Sequence, residues 1–332
     1  MRAPVAIFVY NRLKNTQSTL EHLCKNTLAG ETDVYVFSDG GKDSSSWAAV
    51  HQVRDYVRKL KSDAETSGTL KSLTLVERPE NIYLERNIIE GIQEVLGKHD
   101  RIIVLEDDIC TSTYYLEYMN DALDKYEDEE RVMHVSGFTN LDLENNKSIT
   151  SSSDIYFTPH MSGWGWGTWR SRWTSHFQHY KTKAEALKGM SSEDMSKMQY
   201  GGVFPCLKSL DKNPIPWDIC WEMAIYKAHG LCLTPLHTMV RNIGLRQGTH
   251  FRSFTLLQRY EFDREPLQRR INVPKVEHPT VNEEIEQLFA QAIRDWGIRY
   301  TLLGKILRFL YKKIQNCRNM LNPHSRCWMV KK

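Results

Sequence analysis

The stretch RIIVLEDDICTS, residues 101–112, runs from an apolar segment directly into three consecutive carboxylates, Glu106, Asp107 and Asp108. The unbroken apolar run at 102–105 is typical of a buried strand. Side chains alternate along a strand, so Glu106 and Asp108 would face one side while Asp107 points away or into the following turn. Adjacent carboxylates repel one another, and a bound cation would relieve that repulsion. The stretch therefore predicts a buried strand that ends in a ligand site.

The sequence before this stretch alternates between strand-like and helix-like segments. In order, they are PVAIFVYN, NTQSTLEHLCKN, DVYVFSDG, SWAAVHQVRDYVRKLKS, LKSLTLVER, LERNIIEGIQEVLGK and DRIIVLED. This order predicts an α/β fold with a mostly parallel sheet, right-handed crossovers and helices on both faces. A polar run at 139–155 follows a further helix and strand. We predict a boundary at this run, which divides a first half over 1–138 from a second half over 139–295 of the same domain.

Polar groups follow three of the predicted strands, at 10–12, 38–41 and 106–108. Ligands of such sheets sit outside the carboxyl ends of the strands, so these groups outline one site. Carboxylates suit hard cations such as Mg²⁺ or Mn²⁺, and substrate phosphates usually complete such a site. The pattern thus favours a nucleotide diphosphate site; the alternative is an acidic surface loop. The absence of a Gly-x-Gly-x-x-Gly or P-loop motif disfavours a dinucleotide oxidoreductase and a P-loop NTPase.

Five ordered segments, spread over roughly residues 3–255, carry a resemblance to a known family. They are APVAIFVYNR, VYVFSDGG, IIVLEDDICTSTYYLEYMNDALDKYEDEERVMHVSGF, SGWGWGTWRSRW and WDICWEMAIYKAHGLCLTPLHTMVRNIGLRQGTHF. Together they resemble bacterial sugar-nucleotide glycosyltransferases related to N-acetylglucosaminyltransferase I, which have the GT-A fold. The resemblance implies a metal-dependent inverting transfer of a sugar from a nucleotide diphosphate sugar, with a UDP-sugar as the favoured donor. The acceptor would be a glycan or lipid-linked glycan in cell-surface polysaccharide synthesis. Residues 1–138 would then be the nucleotide-sugar-binding half, and 139–295 the acceptor-binding, catalytic half.

The resemblance also implies roles for the polar strand ends. Arg12 and Asp39 would hold the nucleotide base and phosphates. Glu106 would contact the ribose, Asp107 the donor sugar and Asp108 the metal. The chain departs from the family at 81–84, where it has Asn-Ile-Tyr-Leu and relatives often have Asn-x-Gly-Leu. The donor sugar is therefore left unassigned.

Tryptophans interleaved with glycines begin the second half of the predicted site. Trp164 and Trp166 could stack on a sugar while the glycines allow the backbone to approach it. The alternative is that these rings fill the core.

The helix-like segment that begins near residue 217 supplies candidate catalytic carboxylates. Asp218 resembles the family's catalytic base, with Glu222 one helical turn later as the reserve. A helix N-cap is the alternative role for Asp218.

Two basic residues complete the predicted site. Arg246 is a candidate phosphate ligand, with an ordinary surface charge as the alternative. The resemblance places His250 near the diphosphate as a second metal ligand, although most lone histidines are neither ligands nor catalysts.

The last segment, 296–332, forms a basic tail. Residues 299–332 carry nine Lys or Arg and no Asp or Glu, and the apolar residues between 302 and 314 recur at helical spacing. This pattern favours docking on an anionic membrane surface over nucleic acid, with packing on the protein body as the alternative. Seven scattered cysteines and the lack of a targeting or membrane-spanning segment predict a cytoplasmic enzyme, peripheral on the inner membrane face if the tail docks.

Two other functions remain open at this point. A non-catalytic nucleotide-sugar or carbohydrate-binding module could share the fold, although both candidate carboxylates are present. A sugar-nucleotide pyrophosphorylase is disfavoured because the N-terminal region lacks a glycine-rich loop with a basic residue.

Overall fold

The computed structural model describes residues 2–139, 153–202, 206–246 and 264–299. Ten strands lie in these ranges: β1 Val5–Val9, β2 Asp33–Ser38, β3 Ser72–Glu77, β4 Arg101–Glu106, β5 Ile109–Thr111, β6 Val132–Ser136, β7 Ile155–Thr158, β8 Trp166–Trp169, β9 Leu231–Pro235 and β10 Val240–Asn242. The α-helices are α1 Leu13–Cys24, α2 Ser44–Ser67, α3 Tyr83–Leu96, α4 Tyr115–Lys125, α5 Arg170–His176, α6 Lys183–Leu187, α7 Ser192–Met198, α8 Trp217–Lys227 and α9 Glu283–Arg299. Every strand and helix predicted up to residue 138 is present.

The large sheet has eight strands in the order β3-β2-β1-β4-β8-β6-β9-β7. Strands β8 and β7 run antiparallel to their neighbours, and the remaining six share one direction. The expected α/β class with a mostly parallel sheet flanked by helices is therefore confirmed. Strands from both predicted halves belong to this one sheet, and β8 lies between β4 and β6.

Alternating side chains of β1 and β4 show why both faces of the sheet are covered. On β1, Val5, Ile7 and Val9 join one hydrophobic core, which includes side chains of α1, α2 and α4. Ala6 and Phe8 join a second core, which includes side chains of α3 and α8. A central strand buried on both faces reads as a continuous apolar run, which is the pattern that the sequence shows at 5–9 and 102–105.

A small second sheet lies beside the end of β4. Strand β10 pairs antiparallel with β5, and Asn242 is opposite Ile109 in its register. The backbone continues into a 3-10 helix at Ile243–Arg246, where the Ile243 N–H donates to the Asp108 carbonyl at 2.9 Å. This pairing brings the segment after β10 against the carboxylates that follow β4.

An extended strap over 264–282 leads to α9. Val273 is fully buried, and its carbonyl accepts a hydrogen bond from Lys125 Nζ at 2.6 Å. Ile285 of α9 then packs with Tyr156 and Leu236. Helix α9 runs through residue 296, where the sequence predicted that the basic tail begins. The tail after 299 lies outside the described residues, and none of the described helices is both long and apolar enough to span a bilayer.

Candidate active site

The order of the strands defines where a ligand would bind. From β1 the chain proceeds to β2 and β3 on one side, whereas β4 lies on the other side of β1. Such a reversal opens a crevice outside the carboxyl ends of the two central strands. Phe8 is opposite Glu106 in the register of β1 and β4, so Arg12 and Asp107 emerge at the same edge. The three consecutive carboxylates at 106–108 thus lie at the topological switch point.

Arg12 joins two of these carboxylates, and we call Arg12, Glu106, Asp107 and Asp108 the acidic cluster. Arg12 Nε donates to Asp107 Oδ2 at 3.1 Å, and a second guanidinium nitrogen contacts Asp107 Oδ1. Arg12 Nη1 lies 2.8 Å from Asp108 Oδ2. One guanidinium therefore binds both aspartates.

Asp107 and Asp108 are buried, Arg12 and Glu106 are partly exposed, and the charges of the acidic cluster perturb one another. Burial raises the pKa of Glu106 well above its ordinary value, and the charges of Asp108 and Asp107 add to that shift. Burial raises the pKa of Asp107 to about 6, although Arg12 opposes the shift. Burial alone would lower the pKa of Arg12, yet the two aspartates raise it overall. The acidic cluster thus contains three carboxylates and one guanidinium, that of Arg12. Further positive charge would therefore stabilise this edge of the sheet.

The acidic cluster fits part of the coordination shell of a hard divalent cation. Asp108 supplies carboxylate oxygens, and the cluster holds more acidic than basic groups. Within the described ranges, no three His, Cys, Asp or Glu side chains come together to hold a metal by themselves. Sites with one or two protein carboxylates are the kind that substrate phosphates and water complete. Asp108 is the residue that would hold Mn²⁺ or Mg²⁺ here.

Asp39 lies after β2 and organises the neighbouring turn. Its Oδ1 accepts the Gly40 and Ile82 N–H groups, each at 2.9 Å, and its Oδ2 accepts Asn81 Nδ2 at 2.9 Å. Its carboxylate thus fixes the loop before α3, and the prediction that it contacts a nucleotide stays a prediction.

Tyr83 stands where relatives often have glycine. It has a left-handed φ of 66° and is 62% exposed. Lys42 Nζ lies 4.9 Å from the centre of its ring. Positive φ is a genuine outlier for a bulky side chain, so this loop is strained beside the crevice.

The segment after β10 closes around Asp108. A Cβ atom on Gly244 would clash with Asp108 Oδ2, so any other residue here would require the Asp108 carboxylate to move. The Gly244 N–H donates to Asn242 Oδ1 at 2.8 Å. Arg246 ends this 3-10 helix, but its side chain and all of His250 lie outside the described residues. The predictions for these two residues therefore stay predictions.

Asp218 lies in the first turn of α8, one residue after the helix begins. The N-cap residue is Pro216, so Asp218 does not cap this helix. Its Oδ1 accepts the Ile219 N–H at 2.8 Å, and its charge contributes to the raised pKa of Glu106. The charge of Asp218 therefore acts on the acidic cluster, and its role as the base stays a prediction.

Glu222, one turn later, has both carboxylate oxygens occupied. Oε1 lies 2.6 Å from His160 Nδ1, and Oε2 accepts the Met161 N–H at 2.8 Å. Its side chain is 7% exposed. A carboxylate held in this way secures the loop before β8, so the geometry favours Asp218 over Glu222 as the base.

The two candidate tryptophans have different surroundings. Trp166 is fully buried, and its ring stacks with His134 and Trp217 at centroid distances of 5.1 and 5.4 Å. The prediction that Trp166 contacts a sugar is therefore wrong, because both faces of its ring are covered. Trp164 is half-buried and packs edge-on against Phe138 at 4.4 Å. Trp166 is one of four tryptophans that pack in one core, and we call them the tryptophan cluster: Trp166, Trp173, Trp217 and Trp221.

Sequence reasoning missed Glu85, whose Oε2 accepts the Trp217 N–H at 2.7 Å and thereby joins α3 to α8. No local signal identifies this contact, because its two partners are 132 residues apart in the chain.

No protein-family model matches the sequence, and none of the curated proteins is similar to it. Among solved structures, S. aureus TarS shares 14% identity at a TM-score of 0.41, over 72% of this chain and 36% of that one. Mannosyltransferase PcManGT from Pyrobaculum calidifontis, in complex with GDP-Man and Mn²⁺, shares 16% identity at a TM-score of 0.38, over 69% of this chain and 72% of that one. GalNAc-T7 with UDP, GalNAc and Mn²⁺ shares 9% identity at a TM-score of 0.43, over 71% of this chain and 42% of that one. The chain thus spans about a third of TarS, and the ligands named belong to those proteins.

Proposed function

We propose that the protein is a metal-dependent GT-A glycosyltransferase that transfers a sugar from a nucleotide diphosphate to an acceptor hydroxyl with inversion. The observation that carries this proposal is the acidic cluster at the topological switch point, where Arg12 binds both Asp107 and Asp108. A charged cluster buried at this edge costs stability unless a ligand completes it.

The residues divide the work of such a reaction. Asp218 accepts the proton of the acceptor hydroxyl as that oxygen attacks the anomeric carbon. Arg12 holds Asp107 and Asp108 in place at the crevice. A divalent cation bound at Asp108 would neutralise charge on the departing diphosphate. Trp164 offers an aromatic surface beside β8 for a sugar.

The acceptor and the membrane prediction belong to the same proposal. The acceptor is a glycan or a lipid-linked glycan, and the basic tail after 299 carries the enzyme to an anionic membrane. Removing residues 300–332 retains every residue that the structure describes, so this truncation should reduce sedimentation with phosphatidylglycerol vesicles while leaving donor hydrolysis unchanged. Unaltered sedimentation would contradict the membrane role alone.

The experiment that tests the catalytic proposal is hydrolysis of a donor panel with Mn²⁺: UDP-GlcNAc, UDP-GalNAc, UDP-glucose and GDP-mannose. We expect one donor to be hydrolysed and Asp218→Asn to lower the rate about 10²- to 10⁴-fold, the range for a general base. Asn retains the acceptor for the Ile219 N–H. Asp121→Asn, on the exposed face of α4 beside Lys125, is the matched control and should retain full activity.

A non-catalytic binding module is the second candidate, and the same assay distinguishes it. Saturable binding of one nucleotide sugar, without hydrolysis or transfer under any metal condition, would favour the module over the transferase.

A further inference from the structure

Helix α8 begins without a capping side chain of its own. Its N-cap residue, Pro216, makes no side-chain hydrogen bond to the first turn. The first N–H groups of a helix have no partner within the helix, so they need one from elsewhere. Glu85 provides it: its Oε2 accepts the Trp217 N–H at 2.7 Å, from 132 residues earlier in the chain.

This contact lies next to the candidate base. The Trp217 N–H is bound by Glu85, and the Ile219 N–H is bound by Asp218 itself at 2.8 Å. The N–H groups on both sides of Asp218 are therefore bound by carboxylates. Glu85 belongs to α3, whose apolar side chains pack in the same core as those of β1 and β4. The contact therefore links the start of α8 to the part of the sheet that contains β1 and β4.

Glu85 also bears on Asp218 electrostatically. Burial raises the pKa of Glu85, and the Asp218 charge adds to that shift, while the bound Trp217 N–H opposes it. His179 and Lys212 are the basic groups that face Glu85 and partly offset the repulsion. Two like charges placed together make protonation of either one more favourable.

We propose that Glu85 is a positioning residue for catalysis: it caps α8 from α3, holds Asp218 in place at the start of that helix, and places a second negative charge near Asp218. The inference rests on the proposed function of Asp218 as base. It predicts that the carboxylate–amide contact fixes the first turn of α8, in addition to the apolar core that α3 and α8 share.

The test compares Glu85→Gln with Glu85→Ala. Gln retains an oxygen that can accept the Trp217 N–H but removes the charge, whereas Ala removes both. Glu90→Gln is the control, because Glu90 lies on the same helix and pairs only at the surface with Arg86. The measurements are hydrogen exchange of the segment at 215–221, and the pH profile, kcat and KM for hydrolysis of the best donor from the panel with Mn²⁺.

We expect Glu85→Ala to accelerate exchange at 215–221 and lower kcat about 10- to 100-fold, with KM changed less than about threefold, because small misplacement of a reacting group is costly. Glu85→Gln should keep the wild-type exchange, and the acid limb of its pH profile should move to lower pH because a neighbouring negative charge is gone. Glu90→Gln should match the wild type in every measurement.

Wild-type exchange and kcat in Glu85→Ala would overturn the proposal, as would a Glu85→Gln variant as impaired as Glu85→Ala. An acid limb that does not move in Glu85→Gln would overturn the electrostatic part. If Glu85→Ala fails to fold, Glu85→Gln still decides through its pH profile. Failure of the wild type to hydrolyse or bind any donor would instead refute the proposed function, while exchange in Glu85→Ala would still test the cap.

Discussion

The tryptophan cluster and the two aspartates of the acidic cluster are all buried, but burial has opposite energetic effects in the two regions. In the tryptophan cluster, Trp166 is covered on both faces by His134 and Trp217, so burial itself stabilises the fold. In the acidic cluster, burial raises the pKa of Glu106 and Asp107 because the ionised forms are poorly solvated. A region that is costly to bury and lies at a switch point is a better candidate for function than one that packs well.

The largest expected effect separates two tryptophans that are two residues apart. Trp166→Ala removes a fully buried ring and should lower the free energy of unfolding by about 3–5 kcal/mol. Trp164→Ala, the matched variant at a half-buried position, should cost less stability and instead weaken sugar binding. Urea denaturation measures the first effect and donor titration the second. Equal stability losses in the two variants would contradict the contrast between core and site.

The next effect concerns the histidine beneath the tryptophan cluster. Burial lowers the pKa of His134 to about 3, so the folded state resists its protonation. The stability contributed by neutral His134 is complete above about pH 6.5 and is lost as the pH falls toward 3, by about 3 kcal/mol at pH 4.5.

His134→Phe should remove this part of the acid sensitivity. The measurement is the difference in unfolding free energy between wild type and variant at pH 7 and pH 4.5. A constant offset at both pH values would show that His134 does not titrate on unfolding.

A smaller effect tests the packing around Asp108. Gly244→Ala would force a methyl group against Asp108 Oδ2 and should destabilise the fold by roughly 1–3 kcal/mol while weakening Mn²⁺-dependent nucleotide binding. Gly97→Ala, at the C-terminal end of α3, should leave binding unchanged. Calorimetric titration with UDP and Mn²⁺ measures both variants, and undiminished binding in Gly244→Ala would count against Asp108 as the metal ligand.

The smallest effect concerns strain beside the crevice. Tyr83→Gly and His229→Gly both replace a residue of positive φ, 66° and 50°, and each should stabilise the fold by about 0.5–1 kcal/mol through relief of that strain. Tyr83 begins α3 beside the crevice, whereas His229 follows the C-terminal end of α8, so only Tyr83→Gly should alter nucleotide affinity. Thermal unfolding and nucleotide titration check the pair, and equal affinities would show that the strain at Tyr83 has no part in binding.

The parts of the fold that local sequence determines were predictable. The strands and helices up to residue 138 follow from apolar periodicity, and the carboxylates after β4 follow from their position at a strand end. The place of β8 between β4 and β6 was not predictable, because it depends on pairing between distant segments. Trp164 and Trp166 have the same local pattern, and only tertiary neighbours decide which one is core. The Glu85 contact, which spans 132 residues, has no local signal at all.

The central claim is that Asp108 and Asp218 do different jobs at one site, and nucleotide binding measured beside turnover tests it most directly. The wild type, Asp108→Ala and Asp218→Asn are titrated with the active donor from the panel, with and without Mn²⁺, and assayed for its hydrolysis. We predict Mn²⁺-dependent binding that is lost in Asp108→Ala but kept in Asp218→Asn, with turnover lost in both. Donor binding that is independent of Mn²⁺ and unchanged in Asp108→Ala would contradict the assignment of Asp108. Full turnover in Asp218→Asn would contradict the assignment of Asp218.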